Sequence, residues 1–399
     1  MTKRLVSFYR GIIFFCMILC GSFVFPQQQI LLAYQQNFLR VSLAAKPGIL
    51  RDAATDYRSG EFVAELYEFA LQYVLDYSEY LRDDSDMIIL TAAAARGAGI
   101  SGRRASGETL WKVFLAYRDP YSRVEILNAL VNLGRDEKTI QNLNEFFKDQ
   151  NNSLRSGAVP DYTTMSACIS ALGAFGDPSS FSALLSGLSA GYPQRINDEI
   201  QRALESLQGD FRQTIIDIIR TGNPADKLAA FRLGTESEKF RTSDPGQFAG
   251  IALETALDYI PGRNESTTEI DLLKYNAIRI ITEYKWNRAG PLVIQHFYRI
   301  IADYHDGAAP KQRYLEAIAC LSVMGTSESA VSLALQLGYC NSVMEKDAEY
   351  DADIMLAIIR ALGEIGDKTA FDNLSYISYL NYPEQIQSAA REALDRLDW

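Results

Sequence analysis

The sequence predicts an all-α protein built as an α/α superhelix of antiparallel helix pairs, and three observations predict it. A seven-residue phrase recurs, Ala171-Leu-Gly-Ala-Phe-Gly-Asp177 and Ala361-Leu-Gly-Glu-Ile-Gly-Asp367. Weaker copies run Ala129-Leu-Val-Asn-Leu-Gly134, Ala229-Ala-Phe-Arg-Leu-Gly234 and Cys320-Leu-Ser-Val-Met-Gly325, with degenerate ones near Ala95, Ala203 and Ala277. The small residues that mark these copies fall about 38 positions apart, the period of a helix pair. Around each marker the apolar residues keep helical spacing, as in Ile354, Leu356, Ile358, Ile359 and Leu362, and no stretch alternates well enough to make a sheet.

Each residue of the phrase has a physical task. Gly173 and Gly363 let two backbones approach, while Gly176 and Gly366 are placed to take the left-handed conformation that ends a helix. Asp177 and Asp367 are expected to cap the helix that follows, with Pro178 in its first turn; Pro291 and Pro310 look like further helix-start prolines. A second amphipathic stretch follows each turn, at Phe181–Leu188, Pro291–Ile301 and Phe371–Leu380.

The phrase resembles the HEAT repeat, in particular the short bacterial form of PBS-lyase type with Ala-Leu-Gly-x-x-Gly-Asp between its helices. The resemblance covers about residues 86–399, as an array of about seven to eight units, and is strongest over 161–210 and 311–399. It implies an armadillo-type α-solenoid whose second helices line a concave, protein-binding surface. It carries no catalytic residues.

Solenoids need closed ends, because an internal unit exposes an apolar face. Residues 28–84, with Phe62, Leu66, Phe69, Tyr73, Tyr77 and Tyr80 near helical spacing, are expected to form a helical N-terminal cap. A lone helix within 383–399 is expected to close the other end. Thr235–Gly250 and the acidic stretch Met344–Asp353 are the expected long loops.

Residues 1–25 have the anatomy of an export signal or N-terminal anchor: a basic stretch Met1–Arg10, then the apolar Gly11–Phe25, too short to span a bilayer comfortably. Cleavage after Ser22 gives a secreted protein. Two alternatives are an uncleaved anchor and lipidation at Cys20, where Cys20-Gly21-Ser22 resembles the end of a bacterial lipobox from which Leu19 departs. The expected location is therefore the periplasm or the cell envelope, and membrane contact is expected only through this N-terminus. The formal net charge of −11 repels phosphate backbones, so no nucleic-acid partner is expected. Three cysteines follow the signal: Cys168, Cys320 and Cys340. In a helix pair the last two stand on the order of 10 Å apart in height, too far for a disulfide, which leaves buried free thiols.

Several motifs look chemical. Gly97-Ala-Gly-Ile-Ser-Gly102 matches a dinucleotide-binding fingerprint, but it follows the helix former Thr91–Arg96 rather than a strand and aligns with the turn between paired helices. Gly187-Leu-Ser-Ala-Gly191 matches a nucleophile elbow, at the end of a second helix and without a nearby histidine base. The two histidines, His296 and His305, read as a packed and a helix-terminal residue. With the scattered cysteines they form no zinc spacing, and Asp83-Asp84-Ser85-Asp86 reads as a turn and helix cap. No catalytic, cofactor or metal residues are assigned.

The expected function is a non-enzymatic scaffold that binds a partner protein along the second helices. Tyr376 and Tyr379, three apart on one such helix, are the candidate binding surface, because exposed aromatics supply interface energy. The alternatives are an envelope-anchored spacer or assembly factor and, remotely, an enzyme with a site in the groove.

Overall fold

A computed structural model describes residues 25–57, 61–241, 244–263, 266–346 and 349–398. Apart from Phe25, the first residue of helix α1, the expected signal and the lipidation candidate Cys20 lie outside the described residues. The fold is all-α: the described residues hold 21 α-helices joined by short turns, several of them 3-10, and no strand. The chain divides into two compact units, Met1–Gly209 and Asp210–Trp399.

The first unit holds α1 (Phe25–Arg40), α2 (Lys46–Asp56), α3 (Glu61–Asp76), α4 (Ser78–Leu81), α5 (Ser85–Ser101), α6 (Ser106–Ala116), α7 (Pro120–Leu133), α8 (Glu137–Arg155), α9 (Tyr162–Phe175), α10 (Phe181–Leu188) and α11 (Gln194–Ser206). Alternate helices pack on one another in two series. One runs α3, α5, α7, α9, α11 and the other α6, α8, α10, with α6 on α7, α8 on α9 and α10 on α11 joining them. Helix α3 packs on both α5 and α6, with Phe62 and Leu66 buried while Tyr80, beyond its end on α4, is exposed. Lys46 is buried at this end. Its Nζ donates to the Phe38 carbonyl and stands 4.6 Å from the Phe38 ring and 4.8 Å from that of Tyr73, and burial lowers its pKa.

The second unit holds α12 (Arg212–Thr221), α13 (Pro224–Glu236), α14 (Pro245–Leu257), α15 (Thr268–Glu283), α16 (Gly290–His305), α17 (Lys311–Met324), α18 (Ser327–Met344), α19 (Ala352–Ile365), α20 (Phe371–Tyr376) and α21 (Glu384–Leu394). Here α13, α15, α17, α19 and α21 form the first series and α12, α14, α16, α18 and α20 the second. The eight spaced small residues all fall on first-series helices, and all but Ala229 are buried. That placement accounts for their size, since only a small side chain lets neighbouring helices of a series close up.

The turn chemistry follows the phrase. Gly176 and Gly366 end α9 and α19 at φ of 60° and 75°, and Gly325 ends α17 at 60°. Asp177 and Asp367 then accept the backbone N–H of Ser179 and Thr369 at 2.8 and 2.9 Å, capping a 3-10 turn that leads into α10 and α20. Pro291 lies in the first turn of α16, whereas Pro310 is the residue just before α17.

Three local expectations are corrected. Gly97 and Gly99 lie inside α5, and the chain turns only at Gly102, at φ 70°. They serve close packing: a β-carbon on Gly97 would strike the Tyr67 ring, and one on Gly99 would stand 2.7 Å from the Ala129 Cα. The stretch Thr235–Gly250 is helical at both ends, because α13 runs to Glu236 and α14 begins at Pro245, which shortens the expected loop. Its Gly246 lies under Trp286, and its Phe248 is buried against Gly234. Finally, Phe371–Leu380 is only partly α-helical: α20 stops at Tyr376 and a 3-10 turn carries Ile377–Tyr379.

Candidate functional site

The last five helices of each unit repeat one design, and the site appears where the two copies differ. Helices α9 and α19 start and stop 190 residues apart, as do the N-caps Asp161 and Asp351. Asn151 Nδ2 donates to the Ala183 carbonyl at 3.2 Å, and Asn341 Nδ2 to the Asn373 carbonyl at 3.0 Å, at the same offset. Tyr192 and Tyr382 are both buried and each has its carbonyl taken, by Asn197 and Gln387 respectively, at 3.0 Å. Gln208 N–H donates to Gly176 at 3.4 Å, and Asp398 N–H to Gly366 at 2.7 Å. The turn after α7 carries one residue more than that after α17, so fourth residues Arg123 and Tyr314 of those helices correspond at an offset of 191.

In the first unit the space between α6, α7 and α8 is filled by Arg123. Its guanidinium carbon lies 4.8 Å from the Phe114 ring centre and 5.7 Å from that of Phe146, and its Nε donates to the Tyr117 carbonyl at 2.9 Å. In the second unit Tyr314 replaces Arg123 and Gln336 replaces Phe146. A cavity of 800 Å³ opens there, walled by Tyr304, Tyr314, Tyr339 and Tyr350, with Gln336 and Cys340 among its other lining residues. The Tyr304 ring lies 5.5 Å from that of Tyr314, and His305 lies 6.2 Å from Tyr339.

The rim of the cavity is charged. Lys311 Nζ stands 3.2 Å from Asp351 and 2.6 Å from Asp353, and Tyr304 donates to Asp351 at 3.0 Å. Burial works to raise the Asp351 pKa, but hydrogen bonds from Lys311, Tyr304 and the Ile354 backbone outweigh it and hold the carboxyl below the usual range. Glu349 adds a third carboxylate to the lining. Inside, the fully buried Tyr314 hydroxyl lies beside Gln336 without closing a hydrogen bond. Burial raises the Tyr314 pKa and pushes the Cys340 thiol up to about 11.

Tyr376 and Tyr379 are exposed, at 42% and 81%, with ring centres 6.4 Å apart; Tyr376 ends α20, and Tyr379 lies in the 3-10 turn after it. The Tyr376 hydroxyl donates to Glu345. They belong to a wider apolar surface on the second series, where Val331, Leu335 and Tyr339 lie four residues apart along α18 and are 41%, 62% and 52% exposed. The Leu335–Tyr339 spacing is helical and readable, but the same spacing also marks core faces, so exposure had to come from the fold.

The other motifs carry structural tasks. Ser189 accepts from Arg155 at 2.7 Å and donates to the Ser186 carbonyl at 3.0 Å, at the end of α10. His296 is buried with its Nδ1 unpartnered; burial, then Lys274, Arg299 and Arg313, lowers its pKa to about 3. Asp84 caps α5 by accepting from Asp86 and Met87 N–H. Cys168 and Cys320 are buried free thiols and Cys340 is a half-buried one. Among the described residues, no three His, Cys, Asp or Glu side chains gather as a metal site would need.

A scan of the sequence against protein-family models returns no match, and a search of curated proteins returns none.

Proposed function

We propose that this chain is a non-enzymatic interaction protein of the bacterial cell envelope, exported through its N-terminal segment, whose helix pairs form a HEAT-type solenoid that holds a partner protein along the second-series helices. The observation that carries the reading is the apolar surface of α16, α18 and α20. Tyr298, Val331, Leu335, Tyr339, Phe371 and Tyr376 are exposed on these three helices, and Tyr379 in the 3-10 turn that follows α20. Exposed apolar residues gathered on one set of elements mark interaction surfaces, and tyrosines supply much of the binding energy in such places. A surface prebuilt on packed helices also lowers the ordering cost of binding an extended segment.

The test is capture of partners by the tagged full-length protein from its native envelope, comparing wild type with L335D and with a Y376A/Y379A double variant, each checked for native helicity and melting. The reading requires a reproducible partner whose recovery falls at least about tenfold in the variants, an effect of the size expected for hot-spot loss. Recovery that is unchanged in all folded variants would sink it. The mature N-terminal peptide, read by mass spectrometry from the same preparation, separates cleavage, an uncleaved anchor and lipidation at Cys20.

A further inference from the structure

The cavity bounded by α16, α17, α18 and the start of α19 is a place where the second unit departs from its counterpart in the first. In the first unit the same position in the repeat holds a guanidinium over the rings of Phe114 and Phe146, supplied by the chain itself through Arg123. In the second unit the residue that would supply it is Tyr314, the ring at the Phe146 position is Gln336, and the space stands open as an 800 Å³ cavity. From this comparison we propose that the cavity receives an arginine side chain from an extended segment of the partner protein, in the place where Arg123 serves the first unit.

The chemistry of the walls fits that occupant. Tyr304, Tyr339 and Tyr350 offer aromatic faces, against which a planar guanidinium stacks better than a lysine ammonium. Three carboxylates, Glu349, Asp351 and Asp353, line the cavity against the ammonium of Lys311, so a cationic visitor meets net negative charge. The Gln336 amide oxygen, on the cavity lining, supplies an acceptor for the guanidinium's N–H donors. Tyr339 belongs both to this wall and to the exposed stripe on α18, so an arginine in the cavity leaves its backbone lying across that stripe. The net charge of −11 favours approach of a basic segment from a distance.

This inference rests on the protein-binding reading and names the chemistry of the partner. The experiment uses the full-length mature protein and three blocked pentapeptides of alanine with a central arginine, lysine or citrulline, titrated calorimetrically. Citrulline keeps the shape and removes the charge. The arginine peptide is expected to bind saturably, at least about tenfold more tightly than the citrulline peptide and more tightly than the lysine one. The variant Y314R/Q336F rebuilds the filling found in the first unit, so it is expected to stay folded and to lose the arginine peptide. As a second variant, Y339A is expected to weaken binding about tenfold. Equal binding of arginine and citrulline peptides, or undiminished binding in folded Y314R/Q336F, overturns the proposal, as does no binding of the arginine peptide at millimolar concentration. Partner capture that survives Y314R/Q336F but is lost in L335D overturns the arginine pocket while leaving the scaffold reading intact.

Discussion

Gly363 of α19 is packed on Ala393 of α21 so closely that a β-carbon on the glycine would stand 2.8 Å from the alanine Cα and 2.9 Å from its Cβ. Gly173 meets Ala203 in the same manner at 3.2 Å, and Gly99 meets Ala129 at 2.7 Å. In each of the three contacts a glycine thus lies on an alanine of the next helix in the first series, and both must be small because they are the two halves of one contact.

G363A should therefore cost about 1–3 kcal/mol, the range for overpacking a close contact, because backbone stands in the way. G173A should cost less, since the Ala203 contact leaves a few tenths of an ångström more room. Urea unfolding of the two variants checks the order. A G363A protein as stable as wild type would remove the contact from the explanation of the repeat.

Asp367 ties two successive turns together, accepting from Thr369 N–H at 2.9 Å and from the Ser327 hydroxyl at 2.6 Å. These bonds, Ser327 first, hold its pKa below the ordinary value of 3.8. Because the folded-state pKa is the lower one, the stabilisation is present above pH 4 and is lost as pH falls through the depressed value. D367A should lose about 1 kcal/mol at neutral pH, as for other N-cap removals, and D367N should recover most of it. Thermal melts at pH 7 distinguish these outcomes, and equal melting of all three proteins would deny the cap any role.

His296 gives a second pH dependence. Its folded pKa of about 3 lies far below the 6.5 of an unfolded chain, so protonation favours unfolding. The stability is complete above pH 6.5 and declines as pH falls towards 3, at up to about 1.4 kcal/mol per pH unit. H296F removes the titrating group and leaves no unpartnered Nδ1, so its stability should change less between pH 6.5 and pH 5 than that of the wild type. Parallel stability profiles for the two proteins would contradict the assignment.

The thiols should react in a set order. Cys168 and Cys320 are buried, with thiols raised to about 12 and about 11, whereas Cys340 is half-buried and lines the cavity. Alkylation of the native protein followed by peptide mapping should label Cys340 first, slowly at pH 7 and faster as pH rises towards its value of about 11. The arginine pentapeptide should slow that labelling. Labelling of Cys168 ahead of Cys340 would mean that α9 opens more readily than its burial implies.

The all-α fold, the order of helices over 161–208 and 351–398, the left-handed glycines and the aspartate caps were legible in the sequence, because each depends on residues within one turn of one another. The same local logic misplaced Gly97, Gly99 and Gly246. They look like turn formers, but Tyr67, Ala129 and Trp286, distant along the chain, require glycine within a helix. Tyr376 and Tyr379 were readable as a spaced pair, yet whether that spacing marked core or surface depended on what packed beside it.

By itself the sequence determined the helical period, the turn chemistry and the acidic net charge, since propensity, capping and charge act locally or in sum. Only the tertiary structure decided that Arg123 fills a space which Tyr314 and Gln336 leave open. That difference lies between side chains from three helices in each unit, and a cavity exists only once packing has brought them to one place.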